Sequence, residues 1–363
     1  MSMAAPIAHP ITVDTDRMDR ARMDRARMDR ARVPDAAAPA MTKAGAMTKA
    51  AAMTKAAAMA EGAVDREIHL RNGRCHYRLE GRRDAPLVLL IHGATVPSWQ
   101  FDRFVPMLHQ AGYRTLRLDL YGHGRSAAPK TRYELPLFVE QCVELIERLP
   151  LPRRMHILGY SMGGAVAAGV VAQRPQRFHG VALAAPMLDA YAATPSLKLL
   201  RTPLLGECLV PTVVKPMLAR RRRANFASLE DGRWVKLYSE QMAQPGFGRA
   251  LLSLVRCGTL SDQSPRYAAL GRTEHPKFVL TGAADPVVAL SDVERIHAML
   301  PGATLQTIDD LTHALFLQHP ERVGPRFIDF FRRVDSQRSA QPQAAMPAQS
   351  VTAPALPRMA YMA

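Results

Sequence analysis

The chain has 363 residues, 48% of them hydrophobic and 22% charged, with a formal net charge of +16. No apolar run reaches the length of a membrane span and the amino terminus carries no apolar signal core, so a soluble cytoplasmic protein without a transmembrane segment is expected. The charge raises nucleic acid as a partner, but residues 1–62 hold only ten Lys/Arg against seven Asp/Glu. The rest of the excess is scattered, apart from Arg220-Arg221-Arg222-Arg223, with no interleaved aromatics or nucleic-acid motif, so no nucleic-acid binding is expected.

Residues 17–31 repeat Arg-Met-Asp-Arg-Ala three times, and residues 41–58 repeat Met-Thr-Lys-Ala-(Gly/Ala)-Ala three times. Periods of five and six spread Met18, Met23 and Met28 around a helical cylinder, so no apolar stripe forms. Residues 1–62 are expected to be a disordered low-complexity extension. Order is predicted to begin near Val64 with a hairpin, strands 67–70 and 75–80, around the Asn72-Gly73 turn signal. The apolar run 86–91 reads as a strand buried on both faces and ends in His92-Gly93-Ala94. A helix over 101–111 and a strand over 113–119 follow, then a glycine-rich loop, Tyr121-Gly122-His123-Gly124-Arg125-Ser126. Residues 135–149 read as a helix and 181–184 as a strand. Residues 188–271 carry apolar periodic stretches, 234–242 and 249–257, but no buried strand, and read as a mostly helical insertion. Strands at 277–281 and 304–308 alternate with helices at 291–300 and 320–333, and disorder is expected from 336 to 363. Alternating strands and helices imply an α/β fold with a parallel sheet wrapped on both faces. Cys75, Cys142, Cys208 and Cys257 lie far apart without a C-x-x-C pair or histidines at ligand spacing. Buried free thiols are expected, with no disulfide framework and no metal site.

Between the helix at 135–149 and the strand at 181–184, the apolar residues 155–158 lead into Gly159-Tyr160-Ser161-Met162-Gly163-Gly164, and a small-residue run to Val171 leads out. Strand, tight turn and helix in that order are the context of a G-x-S-x-G nucleophile elbow. Such a turn strains the serine backbone, and glycines two residues to either side let strand and helix approach. Ser161 is the candidate nucleophile, at the positive end of the following helix. Asp285, in Gly282-Ala283-Ala284-Asp285-Pro286, and His313, in Leu311-Thr312-His313-Ala314, each fall just past a predicted strand. A serine, an aspartate and a histidine in that order, each at a strand's carboxyl end, suit acyl transfer.

The motifs that carry a resemblance are the His92-Gly93 loop, Asp119-x-x-Gly122-x-Gly124-x-Ser126, the elbow, the Gly282-x-x-Asp285 turn and His313-Ala314-Leu315-Phe316. With them, residues 64–333 resemble the α/β-hydrolase fold superfamily, and within it the serine esterases and monoacylglycerol-lipase-like enzymes with a helical cap. The resemblance implies a mostly parallel eight-stranded sheet with helices on both faces, a core of residues 63–187 and 272–335, and residues 188–271 as a cap over the pocket. It implies Ser161 as nucleophile, His313 as base and Asp285 as acid, with the backbone N–H groups of Ala94 and Met162 as oxyanion hole. Asp189, after the sixth strand, is a second candidate for the acid, with Asp285 favoured by its turn. Trp99 and Tyr121, on loops at the same sheet edge, are candidates to line the pocket or to pack beneath it. The implied activity is cofactor-free hydrolysis of a small-molecule carboxylic ester, lipid-like esters included. Carbon–carbon bond hydrolases, acyltransferases and perhydrolases share the triad, and a non-catalytic binding protein on this scaffold is the alternative outside enzymes. Dehalogenases and epoxide hydrolases of this fold are disfavoured, since their nucleophile is an aspartate where Ser161 stands.

Overall fold

The computed structural model describes residues 64–340, apart from residue 194, residues 227–228 and residues 230–231. One sheet organises them. Strands β1 (Val64–Leu70) and β2 (Gly73–Glu80) form the hairpin, and β3 (Leu87–Ile91), β4 (Arg114–Leu118), β5 (Met155–Tyr160), β6 (Phe178–Ala184), β7 (Lys277–Gly282) and β8 (Thr304–Ile308) follow. Their spatial order is β1-β2-β4-β3-β5-β6-β7-β8. The first two pairings are antiparallel and all others parallel, so the sheet is the mostly parallel, eight-stranded one expected. Every residue of β3, β5 and β7 is buried, which is why these strands read as mostly apolar runs, with His156, Lys277 and Thr281 their buried polar exceptions.

The chain leaves β3 to one side, to form β4, and returns to the other side as β5. That reversal opens a crevice at the carboxyl ends of β3 and β5, where open α/β sheets bind ligands. Helices α1 (Val105–Gln110), α2 (Leu135–Arg148) and α3 (Met162–Gln173) connect these strands. The predicted helix over 101–111 is instead a 3₁₀ turn, Ser98–Phe101, followed by the shorter α1, whose Pro106 falls in the first turn where a missing N–H costs nothing.

Between β6 and β7 the chain is helical: α4 (Ala190–Ala193), a 3₁₀ stretch (Pro195–Arg201), α5 (Leu205–Leu209), a π turn (Val210–Val214), α6 (Lys215–Phe226), α7 (Arg233–Ala243), α8 (Phe247–Arg256) and α9 (Ser264–Gly271). It leaves and returns through one neck, where Ala190 N donates to Leu260 O at 2.9 Å and Gln263 N to Leu188 O at 3.0 Å. After β7 come α10 (Leu290–Ala298), β8, α11 (Leu315–Gln318) and α12 (Pro320–Ala340).

Two expectations need correcting. Helix α12 runs through residues 336–340, which composition assigned to a disordered tail. Its last turns are anchored by buried Val334 and by Asp335, which accepts from Tyr113 Oη at 2.9 Å and His156 Nε2 at 3.0 Å. All four cysteines are free, but only Cys75 and Cys142 are buried, whereas Cys208 is exposed and Cys257 half-buried on the helices between β6 and β7. The disorder expected for residues 1–62 and 341–363 lies outside the described residues. Among the described residues, no helix is long and apolar enough to cross a membrane.

Candidate active site

Ser161 sits between β5 and α3 with φ 55° and ψ −122°, a conformation that residues with a Cβ resist. Its surroundings impose it: Ser161 N donates to Ala184 O at 2.9 Å, and Ser161 O accepts from Gly164 N at 2.9 Å and Met187 N at 3.2 Å. The flanking glycines permit it. A Cβ on Gly159 would lie 2.3 Å from Gly163 O, and one on Gly163 would lie 2.4 Å from Ile91 O. The G-x-S-x-G spacing is therefore a steric requirement of strand β5, helix α3 and strand β3 meeting at one point.

The structure brings Ser161, His313 and Asp285 together. Nε2 of His313 accepts from the Ser161 hydroxyl at 3.2 Å, and its Nδ1 donates to Asp285 Oδ2 at 2.6 Å. The carboxylate can only accept, so it assigns the proton to Nδ1 and leaves Nε2 with its lone pair toward the serine. Asp285 is itself held, its Oδ1 accepting from Val287 N at 2.8 Å and Val288 N at 3.0 Å, and its side chain is fully buried. Ser161 and His313 are 7% and 5% exposed, enough to be reached from one side only. The other acid candidate, Asp189, accepts from Tyr191 N at 2.8 Å and so caps the turn into α4.

The loop after β3 is braced by groups that sequence reading left without a role. His92 is fully buried; its Nδ1 donates to Gly93 O at 2.7 Å and its Nε2 accepts from Leu120 N at 2.8 Å. A trans peptide points its C=O and N–H in opposite directions, so with Gly93 O turned to His92, the Ala94 N–H faces away from it. His123 Nε2 donates to Ala94 O at 2.7 Å, which fixes the next peptide. Burial holds both rings neutral, pushing His92 down to about 3 and His123 below its usual value. Met162 is the first residue of α3, so its N–H is one of those a helix leaves without an internal partner.

Asp119 ties the glycine-rich loop to this brace. It accepts from His76 Nδ1 at 2.8 Å, Arg125 N at 3.0 Å and Ser98 N at 3.0 Å. Burial alone would raise its pKa, but these bonds and the neighbouring histidines outweigh it and hold the carboxyl below the usual range. Gly124, at φ 53°, is required here because a Cβ would lie 2.2 Å from Asp119 Oδ2. The spacing Asp119-x-x-Gly122-x-Gly124 carried the signal; the links to His76 and Ser98 arise from contacts distant in sequence.

A cavity of about 370 Å³ opens above Ser161 and His313. Its apolar wall comes from Met187 and the helices between β6 and β7, with Leu200, Val214, Leu251, Val255 and Leu260. Polar groups enter from the other side, as Gln100 beside the β3 loop and as the Thr312–Gln318 pair, bonded at 3.0 Å, beside His313. Trp99 and Tyr121 do not line this cavity. Trp99 packs on Trp234 and Phe226, with ring centroids 5.8 and 6.2 Å away, and Tyr121 is buried with its hydroxyl on Gly73 O at 3.3 Å. The loops carrying them do open at this sheet edge, but both side chains turn away from it into packing. Tyr160 lines the cavity instead, its hydroxyl donating to His313 O, and sequence gave no sign of that contact.

A family model described as "Alpha/beta hydrolase family" matches residues 88–325. A pimeloyl-[acyl-carrier protein] methyl ester esterase of Neisseria meningitidis serogroup C is 28% identical over 256 residues, covering 68% of this chain and 94% of that protein. A haloalkane dehalogenase of Psychrobacter cryohalolentis is 37% identical over 119 residues, 32% of this chain and 38% of its own. The crystal structure of a hydrolase from Pseudomonas aeruginosa PA01 superposes with a TM-score of 0.60 at 26% identity, covering 74% of this chain and 98% of that one. The family match spans β3 to α12, the stretch that builds all the parallel strands and the crevice at their ends, and on it the chain belongs to the alpha/beta hydrolase family.

Proposed function

We propose that the protein is a serine hydrolase that cleaves carboxylic esters through an acyl-enzyme intermediate. The observation that carries this is the hydrogen-bonded chain from Ser161 Oγ through His313 to Asp285 at the floor of a largely apolar cavity. His313 Nε2 takes the hydroxyl proton as Ser161 Oγ bonds to the ester carbonyl carbon. Asp285 stabilises the imidazolium that forms. The carbonyl oxygen becomes an oxyanion between the N–H groups of Ala94 and Met162, the first turned outward by His92 and the second at the positive end of α3. Collapse of this intermediate expels the alcohol, which takes the proton from His313. Water then attacks the acyl carbon with His313 again as base, and Ser161 is released with its proton.

Residues 188–271 act as the cap in this reading, because the apolar wall above the serine comes mostly from them. An esterase as a relative spanning 94% of its own length supports the ester as substrate class. The shared stretch with a dehalogenase does not extend to its chemistry, since a serine stands at the elbow.

Turnover of a nitrophenyl ester series from acetate to octanoate, with fluorophosphonate labelling, tests the proposal. Ser161→Ala is expected to lose labelling and on the order of 10⁶ in kcat. Activity above a tenth of wild type in that variant removes Ser161 from the nucleophile's role.

A further inference from the structure

Among the described residues, the large apolar side chains standing in solvent are Leu199, Leu204, Leu205, Val213, Met217 and Val287. A single exposed leucine is ordinary on any protein, whereas several within one short stretch that also walls an apolar cavity are not. Five of the six fall within 19 consecutive residues of the helical segment, and Met217 and Val287 line the cavity as well as facing solvent. Leu204 is the most exposed of them, at 79%, and its backbone has φ 64°, a conformation that glycine or asparagine adopts more readily. A strained, solvated leucine satisfies neither packing nor backbone preference in the isolated chain.

Cations are interleaved with these residues along the chain. Lys198, Arg201 and Arg220 are exposed and Lys215 is half-buried on the same stretch. The acidic residue there, Glu207, is neutralised by Arg256, whose Nη2 lies 2.7 Å from its Oε2. Self-association through a two-fold axis would set these like charges against each other. Exposed aliphatic side chains interleaved with cations instead match a surface that is apolar in depth and anionic at its boundary.

We propose that this face docks on an anionic lipid bilayer, with Leu199, Leu204, Leu205 and Val213 entering the headgroup region and the cations meeting lipid phosphates. Docked in this way, the cavity rim at Met217 and Val287 turns toward the lipid, and an ester dissolved in the bilayer reaches Ser161 without crossing water. The delivery step rests on the ester-hydrolase proposal. The docking rests on the surface alone.

Sedimentation of the full-length Ser161→Ala chain with phosphatidylglycerol-containing vesicles tests the docking apart from catalysis. Binding to those vesicles, absence of binding to pure phosphatidylcholine vesicles and release by salt are expected. Leu204→Ser with Leu205→Ser, and separately Lys198→Glu with Arg201→Glu, should each lower the bound fraction roughly tenfold. In the Ser161 background the same changes should leave turnover of a soluble acetate ester unaltered. Circular dichroism of each variant confirms that it folds. The docking is overturned by failure to bind phosphatidylglycerol vesicles, or by binding that neither pair of substitutions weakens. A dimer in light scattering that Leu204→Ser dissociates also overturns it, by making the face a self-interface. Ester turnover without vesicle binding removes the docking and leaves the hydrolase proposal standing. Vesicle binding without ester turnover leaves the docking and removes the delivery step.

Discussion

Ser161 occupies a backbone conformation that costs on the order of 1–3 kcal/mol, and the neighbouring hydrogen bonds and glycines keep it there. Gly163→Ala should therefore be far more damaging than a buried glycine change in open space, because its new Cβ meets the carbonyl oxygens of Ile91 and His92 at 2.4 and 2.5 Å. Backbone cannot yield as a side chain tip does, so a Tm loss of many degrees or failure to fold is expected in thermal melts. For the acid, Asp285→Asn should lower kcat by about 10⁴, since an amide no longer dictates the imidazole tautomer. Asp189→Asn, at a turn cap, should leave kcat within a few-fold. The reverse ranking in parallel kinetics would move the acid to the end of β6. Ser161, Asp285 and His313 were legible in sequence because each sits a short turn beyond a predicted strand, two of them apolar runs and the third placed by alternation. The work of His92, His123 and Asp119 was not, because it lies in contacts such as His123 to Ala94, 29 residues apart, that no local periodicity encodes. Trp99 and Tyr121 show the same limit: the loop could be placed, the direction of its side chains could not.

At the scale of elements, α12 shows how composition misplaces an end. Its Ser336, Gln337, Ser339 and Ala340 resemble a tail, yet Asp335 fastens the helix to His156 of β5 and to Tyr113 just before β4. Truncation after Arg333 removes that carboxylate and buried Val334 together, and a Tm fall of several degrees is expected, corresponding to about 2–4 kcal/mol. Retention of the full-length Tm would mean that the last turns contribute nothing. The helices between β6 and β7 were foreseen as helical from their periodic stretches, but their inward faces were not. Val255, on α8, lines the cavity and is 1% exposed. Val255→Phe should lower kcat/KM for an octanoate ester by about 1–3 kcal/mol relative to acetate, the usual worth of crowding an apolar pocket. A parallel response of acetate and octanoate would show that this wall does not read the acyl chain.

Across the whole molecule, stability and pH are linked through the buried imidazoles. His92 titrates near 3 in the folded chain because burial disfavours its charge, against an ordinary 6.5, and His123 is lowered in the same direction. Below about pH 6.5 the unfolded chain takes up protons that the folded chain refuses, so stability falls as pH drops from there toward 3. His92 contributes at most about 1.4 kcal/mol per pH unit within that window, and His123 adds in the same direction. Tm measured from pH 7 down to 5 should decline, and His123→Gln should flatten the decline; an unchanged slope would assign it to other groups. The parallel sheet, though not its strand order, was legible because parallel strands buried on both faces announce themselves as apolar runs, whereas β8, at the edge with exposed residues, was placed by alternation alone. The neck between Leu188 and Gln263 has a consequence for descent as well as for structure. Because the helical segment departs and returns through two adjoining hydrogen bonds, beside strands β6 and β7 that pair directly, it can be exchanged as a cassette without disturbing the register of the sheet. An exchange at those two junctions would replace the roof of the crevice in one step and leave the surroundings of the serine as they are.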